Sequence, residues 1–133
     1  MIFLFLTLCF FATISFLMDG KRFKELVGEA LDSLPLEFAK KLDNVSVVVE
    51  DFSTPYQLKK LGLSSGTLLF GLYEGIPQVK RRNYSGVLPD KITIFKNSIE
   101  RVSQTDEDVK AQIRATVIHE IGHHFGLSDS ELK

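Results

Sequence analysis

All three histidines of the chain lie close together near its carboxyl end, at His119, His123 and His124. On an α-helix each residue advances by about 100°, so residues four apart lie one turn apart on the same face. The imidazole rings of His119 and His123 can therefore bind one metal ion, and imidazole nitrogen is a preferred zinc ligand. Glu120 projects about 100° from His119, where its carboxylate reaches a water molecule rather than the metal. This arrangement is suited to hydrolysis, with Glu120 as the general base.

A catalytic zinc site takes three protein ligands and keeps a further position for water. Gly126 suits the left-handed residue that ends a helix and turns the chain back, and Asp129 follows it by three residues. Asp129 is therefore the candidate third ligand, because only four residues come after it. His124 projects toward Ile113 and Val117, so we expect it to pack or to support the site, with metal binding the less favoured role.

The segment before the histidines has the pattern of a long helix. Thr105, with Asp108 three residues later, is an acidic variant of the capping box that starts a helix. Five polar residues then fall within a stripe of roughly 100°, which we expect to face a cleft: Gln112, Thr116, His119, Glu120 and His123. The remaining surface is mostly apolar, so we expect the helix to pack beneath a sheet.

The spacing His119-Glu120-x-x-His123-x-x-Gly126-x-x-Asp129 resembles that of the zincins. Metzincins have the same spacing, but most have histidine at the third position and a methionine-containing turn downstream. Gluzincins take a glutamate from a later helix, and only Glu131 follows the motif here. The closer resemblance is to the small bacterial zincin-like metallopeptidase family, and it extends from about Met18 to Lys133. It implies a minimal zincin fold, bound zinc and peptidase activity.

The leading interpretation is a zinc-dependent metallopeptidase that hydrolyses peptide bonds through a zinc-activated water, with Glu120 as general base. His119, His123 and Asp129 are its expected metal ligands, and a peptide or protein is its expected substrate. The alternative is a proteolytically silent module of zincin fold that retains zinc and binds a partner. A metal-dependent ribonuclease ranks lowest, because the family with a similar metal helix usually has a third histidine and lacks the glutamate after the first.

The order of helices, strands and then the metal helix predicts an α+β domain, with a small mixed sheet packed on the active-site helix. Apolar spacing predicts a helix from Phe23 to Leu34, which Pro35 ends. The other predicted elements are short helices at Leu36 to Leu42 and Pro55 to Leu61, and strands at Val45 to Glu50, Thr67 to Tyr73 and Lys91 to Phe95.

Zincins bind extended substrate along an edge strand above the metal helix, by β-augmentation. Thr67 to Tyr73 and Lys91 to Phe95 are both candidates for that strand. The loop between them, from Glu74 to Asp90, is long for so small a domain, and long loops in compact domains often have a function. Tyr73 and Tyr84 are possible donors to a transition-state oxyanion, but an aromatic residue near a strand end more often packs, so neither is given a role.

Composition excludes several other classes of function. The formal net charge is −1, so no basic surplus favours nucleic acid as a partner. Lys80-Arg81-Arg82 is the one basic cluster, and most such runs are solvated loop charge. Cys9 is the only cysteine, which excludes an intramolecular disulfide and thiolate zinc ligation.

Residues 1–17 form an uncharged, mostly apolar extension, and residues 18–133 form the expected catalytic domain. The extension lacks the leading positive charge and small residues of a cleavable signal peptide. It is at the lower length limit for a membrane anchor, which Lys21 and Arg22 would orient with the domain in the cytoplasm. The favoured account is that translation starts at Met18 and the protein is cytoplasmic. A membrane is then a partner only if residues 1–17 are translated and retained.

Overall fold

The computed structural model describes residues 19–75 and 89–126. The extension at 1–17, the cluster at 80–82, Tyr84 and Asp129 lie outside these residues. The helices are α1 (Gly20–Asp32), α2 (Leu36–Lys41), α3 (Pro55–Lys60), α4 (Lys96–Arg101) and α5 (Asp106–His124). The strands are β1 (Val45–Glu50), β2 (Gly71–Glu74) and β3 (Asp90–Phe95).

The three strands form one mixed sheet in the order β1-β3-β2. β3 lies in the centre, parallel to β1 and antiparallel to β2, with Ile92 opposite both Val47 and Tyr73. The long helix α5 packs against β2, β3 and α1. The predicted α+β class and the small mixed sheet on a long carboxyl-terminal helix are therefore confirmed.

The core lies between α1, α5 and one face of β3. Every fourth residue of α5 on this side has no solvent exposure: Val109, Ile113, Val117 and Ile121. Fully buried Phe23 and Leu26 contribute from α1, and Ile92 and Ile94 contribute from the central strand. These contacts fix which face of α5 points away from the core.

Two elements differ from the sequence prediction. The strand expected at Thr67 to Tyr73 begins only at Gly71, because its partner β3 ends at Phe95, whose N–H donates to Phe70 O at 2.9 Å. Residues before Phe70 therefore have no β3 residue left to pair with. Helix α4 was not predicted, since it follows strand β3 directly and no proline or glycine marks its start, as prolines do for α2 and α3.

Within residues 19–75 and 89–126, no helix combines the length and apolar character that crossing a membrane requires.

The start of α5 confirms the predicted capping residues. Thr105 Oγ1 accepts a hydrogen bond from Asp108 N at 3.0 Å. Asp108 Oδ2 accepts a hydrogen bond from Gln104 N at 3.0 Å. In a full capping box this side chain would accept instead from the N–H of the cap residue, Thr105. The acidic residues of this first turn also interact favourably with the positive end of the helix dipole.

We predict that Thr105→Ala lowers the free energy of unfolding by about 1 kcal/mol, because an orphan N–H of the first turn loses its acceptor. Urea denaturation monitored by circular dichroism measures this loss. Thr105→Ser keeps the hydroxyl and should stay close to wild type. An equal loss in both variants would contradict the capping explanation.

Candidate metal centre

His119 and His123 lie side by side on the exposed face of α5. Their ring centroids are 4.2 Å apart and the ring planes are inclined by 55°. Two neighbouring imidazoles on a helix, both accessible from solvent, are the donor set that zinc accepts. The chemistry and placement of this pair therefore fit two of the three protein ligands of a zinc site.

Among the residues that the structure describes, no third His, Cys, Asp or Glu joins this pair in a group suited to holding a metal. Asp129, the predicted third ligand, lies outside them. Gly126 has the predicted left-handed conformation, with φ at +79°. The conformation of this one residue is thus confirmed, while the return of the chain and the ligand role of Asp129 stay predictions.

Glu120 lies between the two histidines in sequence and is half-buried beside strand β2. Its Oε2 accepts a hydrogen bond from Tyr73 N at 3.2 Å. Burial raises the pKa of Glu120 above its usual range, because the charged carboxylate loses water. The Tyr73 amide and the charges of His119 and His123 act in the opposite direction. The surroundings of Glu120 therefore act in both directions on its pKa, and the Tyr73 amide holds its carboxylate in place.

Strand β2 lies along this part of α5. Antiparallel pairing alternates between residues that exchange hydrogen bonds and residues that do not. Since Phe95 N donates to Phe70 O, the backbone groups of Gly71 and Tyr73 point away from β3, toward the outer edge. The Tyr73 N–H reaches Glu120 on that side. The outer edge of β2 therefore borders the centre.

This position shows which of the two candidate strands lies at an edge of the sheet. β2 has β3 on one side and lies at an edge of the sheet among the described strands. Lys91 to Phe95 was the other candidate, and it is wrong because β3 is paired on both sides. A central strand has no backbone groups left for an extended peptide.

A recess of about 260 Å³ opens beside His119 and Glu120. One wall is the segment Leu68 to Gly71, and the other is the helix face of Gln112, Ala115 and Thr116. The volume is below the usual range for a whole small-molecule site, but it suits one side chain. Four of the five residues predicted to face a cleft line this recess, namely Gln112, Thr116, His119 and Glu120, whereas His123 does not.

A second cluster, which the sequence does not predict, adjoins the centre. The His124 ring stacks on the Tyr73 ring at 4.0 Å, and Tyr73 Oη donates to Asp90 Oδ2 at 2.7 Å. His124 Nε2 lies 4.0 Å from the same carboxylate oxygen. His124 packs as expected, but on Tyr73 at the sheet edge and not on the core residues Ile113 and Val117. The contact joins distant segments, so no local spacing indicates it.

The model of the zincin-like metallopeptidases matches residues 42–133, which include all three strands and α5. The match begins at Leu42, after α1 and α2. The expected start of the domain near Met18 stays a prediction. No curated protein matches the chain.

We predict that Tyr73→Phe lowers the free energy of unfolding by roughly 1 kcal/mol, because the Asp90 carboxylate loses a hydrogen bond. The ring stack on His124 is retained, so zinc affinity should stay within twofold of wild type. Denaturation and zinc titration measure the two effects. Tyr56→Phe is the matched control, since Tyr56 is 73% exposed. A large loss of zinc affinity in Tyr73→Phe alone would show that the Tyr73 hydroxyl acts on the metal centre.

Proposed function

The chain belongs to the zincin-like metallopeptidase family, and on this premise we propose that it is a zinc-dependent hydrolase of peptide bonds. The observation that carries the proposal is the position of Glu120, half-buried beside two adjacent histidines and at the edge of β2. A structural zinc site needs neither a carboxylate next to the metal nor an accessible strand edge. Both are needed to cut an extended peptide.

His119 and His123 would hold the zinc, with Asp129 as the third ligand. An aspartate in the third position keeps one negative charge on the site, so the net positive charge is lower than with three neutral histidines. When bound, zinc supplies a Lewis acid that polarises the scissile carbonyl and makes water more acidic. A Cys ligand is excluded because Cys9 is the only cysteine and precedes the matched region.

Glu120 moves the proton in this reaction. Its carboxylate accepts a proton from the water whose oxygen attacks the scissile carbonyl carbon. It then donates that proton to the amide nitrogen as the carbon–nitrogen bond breaks, which releases an amine and a carboxylic acid. Burial, which raises the pKa of Glu120, favours the protonated state that the second step requires.

The substrate would lie extended along the outer edge of β2. Backbone groups of Gly71 point to this edge and are available for β-augmentation. The recess between Leu68 to Gly71 and α5 then receives one substrate side chain next to the scissile bond. Its walls are mainly apolar, with Gln112 at one end and Glu120 at the other, so an apolar side chain fits it best.

We predict that Glu120→Gln abolishes peptide cleavage while leaving zinc affinity within a few-fold of wild type. An amide has a similar shape but cannot accept the proton, and a general base contributes about 10²- to 10⁴-fold to rate. Cleavage of an unbiased peptide library and direct zinc titration are the two measurements.

Glu107→Gln is the control, because Glu107 lies on the same helix with its side chain 81% exposed. It should retain full activity. If zinc-loaded wild type cleaves no peptide at any pH tested, the chain is a zinc-binding module and not a peptidase.

We predict that Asp129→Asn weakens zinc binding by at least tenfold, because the third ligand loses its charge. Competition with a chromogenic chelator measures the affinity. Asp106→Asn is the matched control at the far end of α5, where Asp106 Oδ2 accepts from Arg22 at 2.9 Å. Equal zinc affinity in Asp129→Asn and wild type would remove Asp129 from the metal shell.

A further inference from the structure

Strand β2 lies against α5 with no space for a side chain at Gly71. A Cβ atom there would be 2.6 Å from Thr116 Cγ2 and 3.2 Å from Thr93 O. Carbon atoms in favourable contact are about 3.5–4.0 Å apart, so the first distance is a severe overlap. The described glycines with positive φ are Gly62 and Gly126. Gly71 is therefore required by lack of space and not by a left-handed backbone.

The two atoms that Cβ would meet are both held in place. Thr116 Oγ1 donates to Gln112 O at 2.7 Å, and the side chain is buried. A threonine in a helix has few χ1 rotamers, so this bond also fixes where Cγ2 lies. Thr93 O belongs to the backbone of the central strand. A side chain at position 71 would consequently displace β2 and not its neighbours.

The position of β2 determines the contact with Glu120. Tyr73, two residues after Gly71, donates its N–H to Glu120 Oε2. Thr116 and Glu120 are one turn apart on α5, so the strand contacts the helix at both points. The 3.2 Å bond is already at the long end of the N–H···O range, which is about 2.7–3.2 Å. Lifting β2 by a few tenths of an ångström would break it.

We infer that Gly71 is a positioning residue for Glu120. The absence of a Cβ atom lets β2 lie on Thr116, and this holds the Tyr73 amide within reach of the carboxylate. The amide then fixes the orientation of the carboxylate beside His119. The catalytic part of this inference rests on the proposed role of Glu120 as general base, whereas the positioning part depends only on contacts within the chain.

The test compares four variants of the full, zinc-loaded chain: Gly71→Ala, Thr116→Ser, the double variant, and Gly66→Ala as control. No atom lies within 4 Å of a Cβ built at Gly66, so that control adds a methyl group without overlap. Gly71→Ala should lower kcat by roughly tenfold to a hundredfold, as small misplacements of catalytic groups do. KM should change less. Thr116→Ser removes Cγ2 and keeps the hydroxyl, so the double variant should recover most of kcat.

The chemical shift and hydrogen exchange of the Tyr73 amide give a readout that is independent of activity. The amide should lose protection in Gly71→Ala and regain it in the double variant. An unchanged amide and kcat in Gly71→Ala would overturn the inference, as would failure of Thr116→Ser to restore them. If Gly71→Ala does not fold, the double variant decides alone: a kcat and a Tyr73 amide like those of wild type support the inference, and their absence overturns it. Absence of cleavage by wild type would refute the peptidase proposal, while the amide measurement would still decide the positioning role.

Discussion

Helix α5 carries both a row of core residues and the histidines of the candidate metal centre, and the rest of the structure depends on how it is oriented. Val109, Ile113, Val117 and Ile121 form one completely buried row. Burial of each such side chain contributes about 1.5–3 kcal/mol. A rotation of α5 by one residue would expose this row and bury the histidines. The core contacts with α1 and β3 therefore keep His119 and His123 on the accessible face.

The parts of the fold that could be predicted are those whose signal is local. The cap at Thr105, the helical period of α1 and α5, and the β-branched run of β1 are all readable within a few residues, and the structure confirms them. The spacing of His119 and His123 likewise implies that their rings meet, as they do. Their roles as ligands, and that of Glu120 as base, stay predictions.

The parts that could not be predicted depend on pairing between distant segments. The length of β2 is set by the end of β3, and no residue near Thr67 indicates where β3 ends. The same limit applies to the site. The Tyr73 amide donates to Glu120 from 47 residues away in sequence. The atom that leaves no space for a side chain at Gly71 likewise belongs to a distant residue, Thr116. A glycine within an apolar strand pattern indicates close approach of some neighbour, but not which one.

The carboxylates of Asp90 and Glu120 both lie near the histidines, but their surroundings differ. Asp90 accepts a 2.7 Å hydrogen bond from the Tyr73 hydroxyl and has His124 at 4.0 Å. The hydroxyl bond occupies this carboxylate oxygen as an acceptor. Glu120 has one longer bond from a backbone amide, and its burial disfavours the charge. A base must both take and release a proton, so this contrast favours Glu120 for the proposed role. Tyr73 links the two, because its side chain holds Asp90 while its backbone orients Glu120.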